Sequence, residues 1–188
     1  MFACSFYLAA LITPDIGDFT EESSGLDRFI QPCNSPCMLK ADLLKKTGLF
    51  ADPLFEISKD GTPIATLNEK KLTFDHDGKH YTVSGHGVLT PEYKLNSGET
   101  AVATATQAAL GNRYAVNYEG REWTLKAEGL LAQKYGLFQN DTEVGTISAG
   151  GFLSRFKGIT VDLPDELPHC VQIFLLLLLI SKWSDTSN

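Results

Sequence analysis

The most apolar stretch of the chain is CVQIFLLLLLI, which covers residues 170–180 and contains a single polar side chain, Gln172. A membrane-spanning helix needs about 20 apolar residues, because the hydrocarbon core of a bilayer is about 30 Å thick. As a helix with a rise of 1.5 Å per residue, this stretch would reach only about 16 Å. It is therefore predicted to be a buried core helix or an interfacial segment.

The residues on either side of this stretch favour a helix that begins and ends with it. Asp165 and Glu166 precede it and suit the positive N-terminal end of a helix, where Pro168 also fits the first turn. Lys182 follows and suits the negative C-terminal end. A helix over about residues 167–183 would be apolar on every side, so other elements must surround it. A truncated tail anchor is the alternative.

Upstream, from about residue 39, short segments of alternating apolar and polar residues are separated by turn signals such as Asp60-Gly61 and Asp77-Gly78. Turn signals at this spacing are typical of an all-β sandwich or barrel. Residues 101–106 fit a strand or a helix by composition, and the flanking turns favour a strand. Because a closed sheet hides a helix on all sides, the sequence predicts a mainly β fold: a closed antiparallel barrel of about twelve strands around the C-terminal helix.

The N-terminal part of the chain differs from the rest. Residues 1–37 are predicted to be an N-terminal extension, partly disordered or accessory, and residues 38–188 the barrel domain. Residues 1–12 are apolar but lack the positive start of a signal peptide, and residues 13–25 are acidic and serine-containing like a linker. Cys33 and Cys37 lack two further ligands at a spacing typical of zinc sites.

The composition and the missing motifs exclude several classes of function. The chain has a net charge of −7 and no block of basic residues, so nucleic acid is not an expected partner. Its four cysteines are few for a disulfide scaffold of this size. There is no Gly-x-Ser-x-Gly elbow, phosphate loop or dinucleotide fingerprint. We therefore expect no catalytic residues, no cofactor and no bound metal.

Basic residues in the second half of the chain are the candidate ligand-binding residues. An anionic headgroup needs two or more cations that converge on adjacent phosphates, and arginine forks are best suited to this. Arg155 and Lys157 would share one face of an extended segment. The alternative is an ordinary solvated barrel surface. The candidates are Arg113, Arg121, Lys126, Arg155 and Lys157.

Three histidines support a different hypothesis, in which the chain is a metal-dependent hydrolase. His76, His80 and His86 have even spacing, so on one continuous strand they would share a face and suit a metal or a general base. The turn signal Asp77-Gly78 lies between the first two and would break that common face.

Several short motifs follow one another in a fixed order ahead of the terminal leucines. They are Asn96-Ser97-Gly98, Gly111-Asn112-Arg113-Tyr114, Tyr118-Glu119-Gly120, Trp123-Thr124-Leu125-Lys126, Val144-Gly145-Thr146-Ile147 and Leu163-Pro164-Asp165-Glu166-Leu167-Pro168. With the leucine run they resemble the tubby C-terminal-like superfamily, which includes tubby proteins, phospholipid scramblases and the LURP-one-related proteins. The family's fold is a twelve-stranded barrel around a central hydrophobic helix.

The resemblance implies a non-enzymatic module that binds anionic lipid headgroups of the phosphoinositide type, or another small ligand. Tubby proteins bind phosphoinositides through basic residues, and scramblases are linked to membrane lipid. The chain lacks the cysteine-rich and calcium-binding segments of a scramblase. A structural or protein-interaction domain is the alternative. On this basis we expect a cytoplasmic protein, peripheral at the membrane, whose partner is anionic lipid or a protein, with no transmembrane span.

Overall fold

The computed structural model describes residues 38–44, 52–109, 112–129, 132–150, 156 and 158–185. The predicted N-terminal extension, residues 1–37, lies outside the described residues. The same holds for two of the candidate ligand-binding residues, Arg155 and Lys157.

Twelve strands and one helix follow one another in the described part of the chain. They are β1 (Leu39–Leu44), β2 (Leu54–Lys59), β3 (Thr62–Asn68), β4 (Thr73–His76), β5 (Lys79–His86), β6 (Glu92–Ser97), β7 (Thr100–Gln107), β8 (Arg113–Tyr118), β9 (Arg121–Glu128), β10 (Lys134–Gln139), β11 (Thr142–Ser148), β12 (Ile159–Asp162) and α1 (His169–Asp185). The ambiguous segment 101–106 is a strand, as its flanking turns favoured.

The strands form one closed antiparallel barrel. Each strand pairs with its neighbours in the chain, and β1 pairs with β12 to close the sheet, with Leu39 opposite Val161. Alternate side chains point inward, as in β9, where Trp123 and Leu125 are buried and Lys126 is exposed. The prediction of a closed barrel of about twelve strands is confirmed.

The helix α1 occupies the inside of this barrel. Every residue from Cys170 to Ile180 is buried, and these side chains form one hydrophobic core with the inward-facing residues of the strands. The helix starts two residues later than predicted, because Pro168 precedes it and its carbonyl accepts hydrogen bonds from the backbone N–H groups of Val171 (2.9 Å) and Gln172 (3.1 Å). Among the described residues, no helix is long and apolar enough to span a membrane.

The one polar side chain inside the apolar stretch fastens the segment that leads into the helix. Gln172 is buried, and its Nε2 donates hydrogen bonds to the carbonyl oxygens of Leu167 (2.8 Å) and Pro164 (3.4 Å). Near the other end of the helix, Trp183 Nε1 donates to the carbonyl oxygen of Ala132 (2.8 Å). The Gln172 bonds therefore hold the preceding segment to the start of α1, and the Trp183 bond attaches the end of α1 to the connection between β9 and β10.

Successive antiparallel strands are connected alternately at the two ends of the barrel. At one end, here called the tight-turn end, five connections consist of two residues each: 60–61, 77–78, 98–99, 119–120 and 140–141. The opposite end, here called the loop end, carries the longer connections, including 87–91 between β5 and β6 and 108–112 between β7 and β8. The helix begins at the tight-turn end, where Lys59 Nζ donates to His169 Nε2 (3.1 Å), and ends at the loop end.

Candidate functional site

A polar groove with a volume of about 570 Å³ lies on the outer face of strands β7 to β10. In its middle, the small side chain of Ala115 leaves space between Thr106 on one side and Thr124 on the other, with which it lies in register. Thr104 and Asn117 add a further hydroxyl and an amide. Most of the lining groups can therefore donate or accept hydrogen bonds.

Two of the predicted ligand-binding residues lie together in this groove. Arg113 on β8 is directly opposite Lys126 on β9, and both side chains are exposed on the outer face. Neither one forms an ion pair with any described residue. Like charges directly opposite each other on neighbouring strands destabilise a sheet by roughly 0.2–1 kcal/mol. The pair thus opposes folding slightly and is available to bind an anion.

The same two cations also border a second hollow, which extends from the groove toward the loop end. This hollow has a volume of about 350 Å³ and is lined by Arg113, Lys126, Asn112, Gly129 and Ala132, with Ala127 between them. An anion approaching from the loop end therefore meets the cation pair first.

Acidic residues line the groove on the side of the tight-turn end. Glu122 lies opposite Asn117, four residues along β8 from Arg113, which corresponds to about 13 Å at 3.3 Å per residue. Asp141, in the turn between β10 and β11, lines the same side. The groove therefore has a cationic end near the loops and an anionic end near the tight turns.

A third candidate, Arg121, lies away from this pair. It is at the tight-turn end of β9, five residues and about 17 Å from Lys126 along the strand. Since side chains alternate between faces, Arg121 does not share the outer face of Lys126. Its guanidinium instead lies 3.6 Å from a carboxylate oxygen of Glu166, with both side chains exposed.

The three histidines do not share one continuous strand face. His76 is on β4, and its Nδ1 lies 3.0 Å from the carbonyl oxygen of Ile64, whereas His80 and His86 follow the Asp77-Gly78 turn on β5. His80 Nδ1 donates to Asp75 (2.6 Å), and His86 Nε2 donates to Glu92 (3.1 Å). The described residues contain no group of three or more histidine, cysteine, aspartate or glutamate side chains that could hold a metal ion.

Two basic side chains of the helix are partly enclosed, one at each end. At the loop end, the ammonium of Lys182 lies 5.6 Å from the ring centroid of Tyr114 and 5.7 Å from that of Tyr135, and burial lowers its pKa. Burial also raises the pKa of Tyr135 to about 12. At the tight-turn end, the pKa of His169 is lowered by burial and then by the positive charge of Lys59.

The sequence contains a signal that Arg113 and Lys126 face each other, although the spacing of the basic residues alone does not show it. The two-residue turn Glu119-Gly120 fixes the register of the hairpin that surrounds it, so residues equally distant from the turn face each other. By this rule Arg113 is opposite Lys126, as observed. The threonines and asparagine that line the rest of the groove were missed, because they come from several strands.

No protein-family model, no curated protein and no solved structure matches this chain.

Proposed function

We propose that the chain is a non-enzymatic, tubby-like module that binds an anionic headgroup, of the phosphorylated polyol type, in the groove on β7 to β10. The observation that carries this proposal is the pair of Arg113 and Lys126, which lie directly opposite each other with no ion-pair partner among the described residues. The barrel around a buried C-terminal helix supports the resemblance to the tubby superfamily.

The cation pair suits a phosphate for two physical reasons. The planar guanidinium of Arg113 donates two parallel hydrogen bonds to phosphate oxygens, and the ammonium of Lys126 supplies a compact charge beside it. A bound phosphate also removes the repulsion between the two cations, which no described carboxylate does. Part of the binding free energy then comes from relief of that repulsion.

The rest of the groove suits the polyol part of the ligand. The hydroxyls of Thr106 and Thr124 and the amide of Asn117 both donate and accept hydrogen bonds. The carboxylates of Glu122 and Asp141 accept hydrogen bonds from hydroxyl groups and repel further phosphates. The preferred ligand therefore carries its phosphates on one side, bound at the cation pair, and hydroxyl groups on the other.

The test is binding of a soluble inositol phosphate and of phosphoinositide-containing vesicles to the full chain and to the double variant R113Q/K126Q. A charge-assisted hydrogen bond contributes about 1.5–3 kcal/mol, so loss of the pair should weaken both interactions at least about tenfold. The matched control is K70Q/K71Q, which removes the same charge from exposed residues at the same end of the barrel. This control should bind almost as well as the parent chain.

The outcomes separate a site from a general surface charge. Equal weakening by R113Q/K126Q and by K70Q/K71Q would show that only the overall charge matters. A parent chain that binds neither the soluble inositol phosphate nor the vesicles would end the proposal. Binding of the soluble compound without binding to vesicles would identify a free polyol phosphate as the ligand.

A further inference from the structure

Two consecutive apolar side chains project from the loop between β5 and β6. Val88 is 94% exposed and Leu89 is 81% exposed. The other large hydrophobic side chains that are exposed among the described residues, Leu44 at 37% and Leu54 at 38%, lie opposite each other on β1 and β2. All four lie at the loop end of the barrel, and moving such side chains from water into an apolar environment is favourable.

The loop that carries Val88 and Leu89 is held in shape by its base. His86 and Glu92 face each other where β5 ends and β6 begins, and His86 Nε2 donates to the Glu92 carboxylate at 3.1 Å. The backbone N–H of Gln107 donates to the carbonyl oxygen of Pro91 at 2.8 Å, which fastens the far side of the loop to β7. Gly87 has a φ of +97°, and a Cβ there would lie 3.0 Å from the Thr90 carbonyl oxygen, so the turn depends on glycine.

The apolar tip and the cation pair are connected through adjacent strands. Gln107, which binds the tip's loop, ends β7, and the next connection returns to Arg113 through a hydrogen bond from the Ala108 N–H to the Arg113 carbonyl oxygen at 2.9 Å. The hollow beside Arg113 and Lys126 reaches toward this same end. The ionisable side chains at the loop base are His86, Glu92 and Lys94, and the Glu92 carboxylate contacts both of the others.

We propose that Val88 and Leu89 form a membrane-insertion tip: they enter the interface of an anionic bilayer while Arg113 and Lys126 bind a headgroup of the same bilayer. This inference rests on the proposed function and commits it to a lipid rather than a free phosphate. The tip transfers apolar surface from water into the acyl boundary, and the nearby cations are attracted to the negative surface potential.

A bilayer fits these observations better than a protein partner does. A stable protein interface buries about 800 Å² per partner and has a well-packed apolar centre. The tip instead presents two side chains that protrude from a single loop. A bilayer accepts a small protruding tip without a complementary surface, and it supplies the anions that the cation pair lacks.

The test compares V88S/L89S with the parent chain on vesicles of phosphatidylcholine that contain phosphoinositide. Removal of both apolar side chains should weaken vesicle binding at least about tenfold, because each buried side chain of this size contributes substantially to transfer. Binding of a soluble inositol phosphate should stay unchanged. The matched control V88L/L89V exchanges the two residues, keeps the apolar surface and should bind vesicles like the parent chain.

The outcomes distinguish this inference from the proposed function. If V88S/L89S binds vesicles as the parent does while R113Q/K126Q does not, the insertion tip is refuted and the headgroup site stands. If V88S/L89S weakens vesicle binding while R113Q/K126Q has no effect on either ligand, the tip stands and the headgroup site fails. If the parent binds no vesicles but self-associates, and V88S/L89S is monomeric, the apolar tip is a contact between copies and the membrane proposal is overturned.

Discussion

The two ends of the barrel are built differently, although the same strands reach both of them. At the tight-turn end, each of the five two-residue turns contains an acidic residue: Asp60, Asp77, Glu99, Glu119 and Asp141. In four of these turns both central residues have a positive φ, between +49° and +79°. At the loop end, the connections are longer and carry the exposed Val88 and Leu89, and Arg113 lies at the same end, at the start of β8.

The difference indicates at which end of the barrel side chains can be selected for binding instead of for backbone conformation. A two-residue turn with positive φ at both positions is selected by the twist of the strands it joins, so its residues are chosen for conformation. A longer loop is less constrained by the strands and can present side chains to a ligand. Accordingly, the exposed apolar tip and the cation pair both lie toward the loop end, and the acidic turns are at the other.

The largest effect is expected from a charge placed on the helix that runs between the two ends. Leu177 is completely buried, so Leu177→Asp places a carboxylate in the core without a partner and should prevent folding. The same change at the loop end, Leu89→Asp, should leave the fold intact because that side chain is 81% exposed. Circular dichroism and urea unfolding measure both, and a folded Leu177→Asp variant would refute the central position of the helix.

A smaller loss of unfolding free energy is expected when a glycine with positive φ is replaced in a turn of the tight-turn end. Gly120 has a φ of +75°, and a Cβ added there would meet nothing within 4 Å. Gly120→Ala should therefore cost only the conformational penalty, about 1 kcal/mol of unfolding free energy. Thr90→Ala, in the exposed loop between β5 and β6, should change the unfolding free energy very little. Equal losses from the two variants in urea unfolding would contradict the proposed difference between the ends.

Removal of the cation pair should raise the unfolding free energy, whereas the changes to the helix and to Gly120 lower it. R113Q/K126Q removes two like charges that face each other, so the unfolding free energy at low salt should rise by about 0.2–1 kcal/mol while the ligand is lost. High salt should reduce this gain by screening. A variant that is less stable than the parent at low salt would indicate that the two side chains support the fold instead of a ligand.

The smallest expected effect is on the pH dependence of the unfolding free energy, and it comes from His169 at the tight-turn end. Burial and Lys59 lower the pKa of His169 below its ordinary value of 6.5, so the unfolded chain binds a proton more readily than the folded one. Stability should therefore fall as pH decreases below about 6.5. His169→Gln can still accept the hydrogen bond from Lys59 and should flatten this decline in urea unfolding between neutral and mildly acidic pH. A decline of unchanged slope would rule out His169 as its source.

The barrel and its helix were predictable because their signals are local. The apolar run at 170–180 required a surrounding sheet, and Asp60-Gly61 and Asp77-Gly78 placed two of the turns. The start of the helix was predicted two residues early, because Pro168 acts before the first turn instead of inside it.

The groove was only partly predictable because it depends on the register between several strands. Within one hairpin, the turn Glu119-Gly120 fixes the pairing of Arg113 with Lys126. Across the groove, the register of β7 with β8 and of β9 with β10 is reached through longer connections, whose length alone does not fix which residues face each other. The polar lining that β7 and β10 contribute can therefore be identified only from the structure.

The most direct test of membrane docking at the loop end is the depth of each end in a bilayer. Tryptophan is introduced at one end in Leu89→Trp and at the other in Thr100→Trp, and quenching by brominated lipids in phosphoinositide-containing vesicles is measured. The native Trp123 and Trp183 are only 2% and 3% exposed, so they add little quenching. Docking through the loop end predicts strong quenching for the tryptophan at position 89 and none above background at position 100. Equal quenching at both positions, or none at position 89, would contradict it.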